Sequence, residues 1–295
     1  MPCKQAARNG WSFRLRAIGS VLLALAQSNV WAETIRVRLI PREAIEGRLG
    51  EYSGTNIERG VRLKRMFGDA GCGEHLTEQR VRFSSAPNVI CVLPGTSDRF
   101  IIVGAHFDRV PESAGVADNW SGASLLPSFY ESLNNEPRQH TYIFIGFTDE
   151  EKGLVGSRFY ARKMTPEQAT ATDAMINLDT LGLAPTGVWT NRSDKRLTQA
   201  LNGVATYLKV PLNGVSFERV GSSDSESFKS RKIPRITIHS LTQKIEDQGI
   251  LHSKKDKLSA MNLDDYYDTY HLVAVYLGFL DHYFDEPETA AAPTP

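Results

Sequence analysis

Apolar segments alternate with segments of helical period along most of the chain. Seven short runs rich in β-branched and aromatic residues predict strands, and several are continuously apolar, which is typical of strands covered on both faces. These runs are VRFSSA, NVICVLPG, FIIVGAHFD, TYIFIGFTD, AMINLDTLG, GVWTN and PRITIHS. Helical spacing is found in SGASLLPSFYESLNN, GLVGSRFYARKM, KRLTQALNGVATYLKV, SESFKSRK and a long final segment, LDDYYDTYHLVAVYLGFLDHYF. The alternation predicts an α/β fold in which helices cover both faces of a central sheet.

The two ends of the chain depart from this pattern. Residues 1–32 contain four basic residues, no acidic residue, the apolar run AIGSVLLALA and the terminal triplet Val30-Trp31-Ala32, which together predict a secretory signal peptide cleaved before Glu33. A membrane anchor is the alternative, but the apolar run is shorter than the roughly 20 residues that span a bilayer. Residues 33–285 predict a single domain, because no repeat or linker interrupts them. Residues 286–295, EPETAAAPTP, are too poor in apolar side chains to pack and are predicted to be disordered.

Removal of the signal peptide changes the charge and the cysteine count. The 34 basic residues fall to 30 against 34 acidic residues, a net charge of −4, which argues against nucleic acid as a partner. The expected location is the periplasm or the medium, without stable membrane insertion. Cys72 and Cys91 remain, and in an oxidising compartment they predict a disulfide whose loop of about 20 residues contributes about 3 kcal/mol. The alternative is two buried free thiols, since ICVLPG resembles a strand interior.

Ionisable side chains gather where the predicted strands end. In α/β sheets, ligands bind beyond the carboxyl ends of the strands, so these side chains are expected at one edge. Any one of them alone would be a surface acid or a structural histidine, and only their joint occurrence favours a site. The set comprises His106 and Asp108 after one strand, Glu150 and Glu151 after the next, Asp179 after a third, and Asp118 in the loop GVADNWSG.

Several carboxylates at one edge repel each other unless a compact positive charge lies among them. A divalent cation supplies that charge and converts repulsion into coordination. Nitrogen and oxygen donors without a thiolate suit zinc, cobalt or manganese. A bridging carboxylate would hold two such ions roughly 3.5–4 Å apart, as in aminopeptidases and other hydrolases.

Five motifs, GAHFD, GVADNWSGAS, FTDEEKGLVGS, NLDTLG and ILHSKKD, follow in the order found in one known family. They resemble the co-catalytic dizinc aminopeptidases of the MH clan, of the bacterial leucyl aminopeptidase type, whose relatives include glutamate carboxypeptidase and glutaminyl cyclase. The resemblance covers roughly Asn88 to Leu258. It implies a zinc exopeptidase-like sandwich with a mixed, mostly parallel sheet, and two divalent metal ions, expected to be zinc. It also implies a secreted or periplasmic metallo-aminopeptidase acting on peptides with a free N-terminus.

The resemblance also implies roles for individual residues. Asp108 would orient the imidazole of His106, Glu150 would be the general base, and the peptide bond between Asp118 and Asn119 would be cis. Asp149 receives no role and is interpreted as a solvated or strand-capping acid. The implied metal ligands are Asp118 as the bridge between the ions, His106 and Asp179 on one ion, and Glu151 and His252 on the other.

Two positions leave alternatives open. His239 ends a predicted strand and competes with His252 as a ligand, but only His252 has the family context, since SKKD after it resembles the family's His-Thr-x-x-Asp. Where many relatives have Ser-Asp-His before an aromatic residue, this chain reads SSDSESF, with Ser225 at the histidine position. Phe228 in this segment would line the substrate pocket or face the core.

Three rival functions share this fold. Glutaminyl cyclases use a single zinc and lack the His-x-Asp pair that His106 and Asp108 form here. Dizinc carboxypeptidases and amidohydrolases carry a lid domain before the last histidine, and the 73 residues from Asp179 to His252 leave little room for one. A non-catalytic binding protein on a degenerate peptidase fold would lack ligands, and no ligand is lost here.

Overall fold

The computed structural model describes residues 35–216 and 221–284. The predicted signal peptide, its cleavage position before Glu33 and the predicted disordered tail 286–295 lie outside these ranges and stay predictions. In the described residues, no helix combines the length and the apolar character needed to span a bilayer.

Strands and helices alternate as the apolar pattern predicts. The strands are β1 (Leu76–Gln79), β2 (Asn88–Leu93), β3 (Phe100–His106), β4 (Thr141–Phe147), β5 (Thr172–Leu178), β6 (Gly187–Trp189), β7 (Asn213–Val215) and β8 (Arg235–His239). The helices are α1 (Arg42–Leu49), α2 (Asn56–Asp69), α3 (Ser121–Leu133), α4 (Val155–Lys163), α5 (Pro166–Thr170), α6 (Lys195–Leu208), α7 (Gln243–Gln248) and α8 (Leu263–Tyr283). The predicted helix SESFKSRK is a 3₁₀ helix, Asp224–Arg231.

The strands of the described residues form one mixed sheet in the order β1-β2-β4-β3-β5-β8-β6-β7. Its centre, β4-β3-β5-β8, is parallel, whereas β1, β2 and β6 pair antiparallel with their inner neighbours. The predicted helix–sheet–helix fold with a mixed, mostly parallel sheet is therefore confirmed. Because the four central strands run in the same direction, their carboxyl ends meet at one edge.

Side chains of the central strands alternate between two apolar layers. Val103 and Ile176 pack toward α1, α2, α3, α6 and α8, whereas Ile102 and Met175 pack toward α4 and the segment around Phe228. Continuous apolar runs such as FIIV are explained by this burial on both faces. The large helical layer and the smaller one hold the parallel strands rigidly, which fixes the positions of the loops that follow them.

Polar caps set where the longer helices begin. Thr55 and Glu58 form a reciprocal capping box at α2, and Asp194 accepts backbone N–H groups at the start of α6. Asn262 does the same for α8. Each cap satisfies N–H groups that the helix leaves unpaired, which typically contributes about 1 kcal/mol.

The prediction of a strand at VRFSSA is wrong. Residues 81–86 form a turn, and the edge strand β1 lies before them at Leu76–Gln79. Phe83 has a left-handed backbone, with φ of 65°, and its side chain is 90% exposed. This conformation interrupts the extended ladder, so the segment turns between β1 and β2 instead of pairing.

A disulfide joins Cys72 to Cys91, with 6.2 Å between the Cα atoms. It ties the segment after α2 to the middle of β2, next to the edge of the sheet. The two sulfur atoms are bonded, so the alternative of two free thiols is wrong.

Candidate metal centre

Two groups of ionisable side chains lie at the carboxyl edge of the central strands. His106 ends β3, Glu150 and Glu151 follow β4, and Asp179 follows β5. Asp118 lies in the turn that leads into α3, and His252 lies in the loop between α7 and α8. Residues that are up to 146 positions apart in sequence thus meet at one place. The strand-end pattern predicts this for all of them except His252, which the family resemblance implied.

The first group contains His106, Asp118 and Asp179. Nε2 of His106 lies 3.3 Å from Oδ1 of Asp118 and 3.6 Å from Oδ1 of Asp179. One donor atom from each of the three residues lies within 4.8 Å of the others, and the His106 side chain is only 2% exposed. The spacing is suitable for three ligands on one metal ion.

The second group contains Asp118, Glu151 and His252. Nε2 of His252 lies 3.1 Å from Oδ2 of Asp118 and 3.0 Å from Oε2 of Glu151. The donor atoms again lie within 4.8 Å of one another, but the His252 side chain is 58% exposed. Asp118 belongs to both groups, with one carboxylate oxygen facing each histidine.

The charges of these groups strongly perturb their pKa values. Burial disfavours the charged form of His106, yet the surrounding carboxylates, Glu150 first, raise its pKa well above the usual range. Burial opposes ionisation of Asp118 too, but hydrogen bonds with His106 and His252 lower its pKa. Burial raises the pKa of Glu150 to about 10; the nearby His106 opposes this shift, and the carboxylate of Asp224 adds to it. The edge therefore concentrates acids that a compact positive charge would stabilise in their ionised form.

Asp108 connects the loops that follow β3 and β4. Its Oδ1 and Oδ2 atoms accept hydrogen bonds from the backbone N–H groups of Glu150 and Glu151, at 3.0 and 3.2 Å. Oδ1 also lies 3.4 Å from Nδ1 of His106. One buried carboxylate thus contacts the back of the imidazole and the backbone of the paired glutamates.

Asp256 is a residue of the site that the sequence pattern did not single out, although it ends the motif ILHSKKD. Its buried carboxylate accepts hydrogen bonds from the backbone N–H groups of Val116, Ala117 and Asp118, at 3.1, 2.7 and 3.2 Å. It therefore holds the turn that presents Asp118. The peptide bond between Asp118 and Asn119 is cis, as the resemblance implied.

Asn119 fixes the same turn against β5. Its side chain donates to the carbonyl of Leu178 at 2.8 Å and accepts from the N–H of Gly122 at 3.0 Å and of Thr180 at 3.2 Å. A Cβ at position 122 would lie 2.6 Å from Oδ1 of Asn119, so only glycine allows this approach. The side-chain amide of Asn119 thus fixes the backbone at Asp118 relative to the backbone at Asp179.

Comparison with known proteins identifies the chain. The model of peptidase family M28 matches residues 88–277, which is more than half of the sequence and includes every residue of both donor groups. This chain belongs to peptidase family M28. The resemblance inferred from the five motifs is thereby confirmed.

Most of the curated relatives similar to this M28 chain are aminopeptidases by name, and a leupeptin-inactivating enzyme of Streptomyces exfoliatus also matches. Aminopeptidase YwaD of Bacillus subtilis is 30% identical over 137 residues, 43% of this chain and 29% of the relative. The probable lipoprotein aminopeptidase LpqL of Mycobacterium tuberculosis is 31% identical over 188 residues, 61% of this chain and 37% of the relative. The chain thus spans about a third of the length of the curated relatives that it matches.

Solved structures share the fold. The LapA aminopeptidase of Legionella pneumophila has a TM-score of 0.73 at 21% identity, covering 82% of this chain and 71% of that one. The zinc aminopeptidase BSAP of Bacillus subtilis has a TM-score of 0.60 at 22% identity, covering 70% and 52%. A glutaminyl cyclase from an Acidobacteriales bacterium has a TM-score of 0.70 at 16% identity, covering 87% and 99%.

In this M28 chain the two donor groups open into a cleft of about 320 Å³. One side of the cleft is polar and carries Asp118, Asp179, Glu150 and Glu151. Buried apolar side chains that pack together form another wall: Trp189, Leu241, Ile245 and Ile250. The cleft therefore offers an apolar surface beside the acidic edge.

His239 lines the same cleft but belongs to neither donor group of the M28 site. Its Nδ1 accepts a hydrogen bond from the backbone N–H of Leu241 at 2.8 Å, and the ring packs edge-on against Trp189. Burial lowers the pKa of His239 to about 4, so the imidazole is neutral at pH 7. This geometry is that of a hydrogen-bonded histidine at the strand end.

Three further residues near the M28 site have clear surroundings. Phe228 is fully buried between the rings of Phe147 and Tyr160, so it faces the core and does not line the cleft. Ser225 is hydrogen-bonded to a threonine hydroxyl at 2.8 Å. Asp149 is buried, with Oδ1 3.0 Å from Nζ of a lysine in the following turn. Of the two expected alternatives, a solvated or a strand-capping acid, the solvated one is therefore wrong.

Proposed function

We propose that this M28 chain is a two-metal aminopeptidase that removes N-terminal residues from peptides and acts in the periplasm or outside the cell. The observation that carries the proposal is the orientation of Asp118, whose two carboxylate oxygens face His106 and His252 separately, at 3.3 and 3.1 Å. A carboxylate with one oxygen toward each of two donor groups is the arrangement expected of a bridging ligand.

The donor atoms suit two divalent ions, and the similar fold of the zinc aminopeptidase BSAP favours zinc among the metals that fit. Imidazole nitrogens and carboxylate oxygens without a thiolate suit zinc, and similar sets occur in its hydrolytic sites. Oε1 of Glu151 is buried and has no hydrogen-bond partner in the described part of the chain. A buried carboxylate oxygen of this kind is costly unless a cation or donor approaches it. His106 and Asp179 would hold one ion, Glu151 and His252 the other, and Asp118 would bridge them.

The chemistry then divides between the ions and one side chain. Bound divalent ions would lower the pKa of water toward neutrality and would polarise the scissile carbonyl. The carboxylate of Glu150 would accept a proton from the attacking water and deliver it to the nitrogen of the leaving amine. Its neighbour Glu151 acts as a ligand, which gives the two adjacent glutamates different roles.

Asp108 and Asp256 act as positioning residues in this proposal. Asp108 fixes the orientation of His106 and holds the backbone that carries the two glutamates. Asp256 holds the backbone that carries Asp118. Buried carboxylates of this kind typically change metal affinity or activity 10- to 100-fold when they are removed.

Two observations favour an aminopeptidase over other activities of this fold. The matching curated relatives YwaD and LpqL carry that activity in their names. In addition, the described segments between Asp179 and His252 either belong to the sheet or pack beside it, so they contain no inserted lid domain. The predicted secretory signal peptide at residues 1–32 and the disulfide support export.

A substrate panel tests the proposal. Purified protein loaded with zinc would be offered aminoacyl p-nitroanilides with a free or an acetylated amine, C-terminally cleavable peptides, and a peptide with N-terminal glutamine. We expect hydrolysis of the free-amine anilides but not of the acetylated ones, release of N-terminal but not C-terminal residues from the peptides, and a metal content of two ions per chain. Cleavage restricted to blocked or C-terminal substrates, or cyclisation of the glutamine, would contradict the proposal.

A further inference from the structure

The short helix α7 places an acidic side chain on the wall of the cleft. Glu246 lines the cavity that contains Asp118 and His252, but it belongs to neither donor group. Its Oε1 atom is buried and accepts no hydrogen bond from any residue within 35–216 or 221–284. A buried acceptor without a donor destabilises a fold unless a ligand supplies the donor. The carboxylate of Glu246 therefore lies at the cleft with no hydrogen-bond donor from the described residues at Oε1.

The surroundings of Glu246 define which donor would fit. Its neighbours Ile245 and Ile250 pack with Trp189 and Leu241 into the apolar wall of the cleft. A carboxylate at the border of such a wall matches a side chain with an aliphatic stem and a positively charged end, or an amine beside an apolar side chain. A neutral hydroxyl or amide would gain less, because hydrogen bonds to charged groups are stronger.

Charge also favours a cation at Glu246. Five acidic residues line the cleft, and among the described residues no lysine or arginine does. Two bound divalent ions would offset four of these five negative charges, which leaves the carboxylate of Glu246 as the fifth, beside the acidic Asp247. A protonated amine is therefore the ligand class that complements this wall.

We propose that Glu246 binds a protonated amine of the first residue of the substrate, as a specificity-determining residue on the apolar wall. This inference rests on the proposed aminopeptidase function. The amine has two sources, the α-amino group of any substrate and the side chain of an N-terminal lysine. The same carboxylate would serve either, and the experiment separates them.

The experiment compares L-lysine p-nitroanilide with L-norleucine p-nitroanilide, which carries the same four-carbon chain without the ammonium group. Glu246→Gln keeps the size of the side chain and removes its charge. We expect kcat/KM to fall about 10- to 100-fold for lysine alone if Glu246 binds the side chain, and for both substrates if it binds the α-amine. Calorimetric Kd values of free L-lysine and L-norleucine should shift in the same pattern.

Asp247→Asn is the matched control. Asp247 is adjacent on α7, exposed, and bonded to Gln243, and it does not line the cleft. A kcat/KM of Glu246→Gln within threefold of wild type for both substrates would overturn the inference. A loss of bound zinc in this variant would also overturn it, because Glu246 would then be a metal ligand. Wild-type protein that cleaves no free-amine anilide of the panel would instead refute the proposed function itself, and this inference with it. Wild-type protein that cleaves other free-amine anilides but neither of these two would overturn the inference alone.

Discussion

Oδ1 of Asp108 accepts a hydrogen bond of 3.0 Å from the backbone N–H of Glu150. The same carboxylate bonds the N–H of Glu151 and lies 3.4 Å from the imidazole of His106. Asp108 therefore lies behind the candidate ligand His106. It also fixes the backbone of a second candidate ligand, Glu151, and of the candidate base, Glu150. Its removal should disturb metal binding and proton transfer together.

Replacement of Asp108 by alanine is expected to lower zinc affinity and kcat/KM about 10- to 100-fold each. The imidazole of His106 loses the carboxylate that orients it, and two partly buried N–H groups lose their acceptor. Competition with a chromogenic chelator measures the affinity, and anilide hydrolysis measures the rate. Glu112→Gln, an exposed acid in the same loop, serves as the control and should match wild type. Wild-type zinc affinity in Asp108→Ala would contradict this role.

The adjacent glutamates should respond differently to the same change. Glu150→Gln is expected to keep both metal ions and substrate affinity and to lose about 10²–10⁴ in kcat, the usual share of a general base. Glu151→Gln should lose metal and activity together and recover partly in excess zinc, because a neutral amide is a weaker ligand. Elemental analysis beside kinetics distinguishes them. The reverse pattern would exchange the two roles, and full activity in both would refute the two-metal hydrolase.

Asp256→Ala should weaken both the fold and the site. Three backbone N–H groups and the hydroxyl of Ser113 lose their buried acceptor, which costs on the order of 2–4 kcal/mol of unfolding free energy. The turn that presents Asp118 loosens as well, so zinc affinity should fall. Urea unfolding and chelator competition test the two effects. Lys254→Ala, a change at an exposed residue two positions away, should lower neither the unfolding free energy nor the zinc affinity.

His140 predicts a pH dependence of stability that is independent of the metal site. Burial opposes its charge, but Asp173 and Asp281, at 3.0 and 3.2 Å, raise its pKa to about 9. In the unfolded chain the pKa is about 6.5. The stabilisation is therefore complete below pH 6.5 and is lost as the pH rises from 6.5 to 9, a change on the order of 1–2 kcal/mol.

The measurement is urea unfolding at pH 6 and pH 9 with zinc present. Wild type should lose more unfolding free energy between pH 6 and pH 9 than His140→Gln does. The difference between the two proteins is the contribution of the imidazole of His140. His75→Gln, at an exposed histidine on the surface, should leave that difference unchanged. Equal pH dependence in wild type and His140→Gln would show that the imidazole does not carry the effect.

The disulfide should matter for stability and not for catalysis. Opening the bridge between Cys72 and Cys91, which are 19 residues apart, is expected to cost about 3 kcal/mol of unfolding free energy. None of the residues that line the cleft belongs to this segment, so kcat and KM at 25 °C should stay within twofold. Reduced and oxidised protein would be compared by denaturation and kinetics. Unchanged stability after verified reduction would contradict the expectation.

The parts of the site that the sequence predicts are those carried by buried strands. His106 and Asp179 could be placed because each follows a continuous apolar run whose carboxyl end had to meet the others at the sheet edge. The role of Asp256 could not be predicted, because its partners are backbone N–H groups 138–140 residues away and leave no side-chain pattern. The role of Glu246 could not be predicted for a similar reason, since it depends on how the fold packs around one oxygen atom of its carboxylate.

The local sequence pattern also failed to predict the strands at the edges of the sheet. VRFSSA has the composition of a strand, but the left-handed backbone of Phe83 follows from the turn that joins β1 to β2. β7 is only three residues long, and two of them are exposed, so no apolar alternation marks it. Phe228 could not be assigned by sequence alone, because an aromatic residue suits a core and a pocket wall equally, and only the rings of Phe147 and Tyr160 decide between them.

Phe83 lies at the tip of a turn between the two bridged cysteines, with its side chain almost fully outside the fold. A protease that cuts next to this aromatic residue would open the backbone without separating the pieces, because the bridge from Cys72 to Cys91 spans the cut. The nicked molecule would run as one band under non-reducing conditions and as two after reduction. For a protein among other proteases, the bridge thus lets the most accessible aromatic residue of the described ranges be cut without loss of either piece.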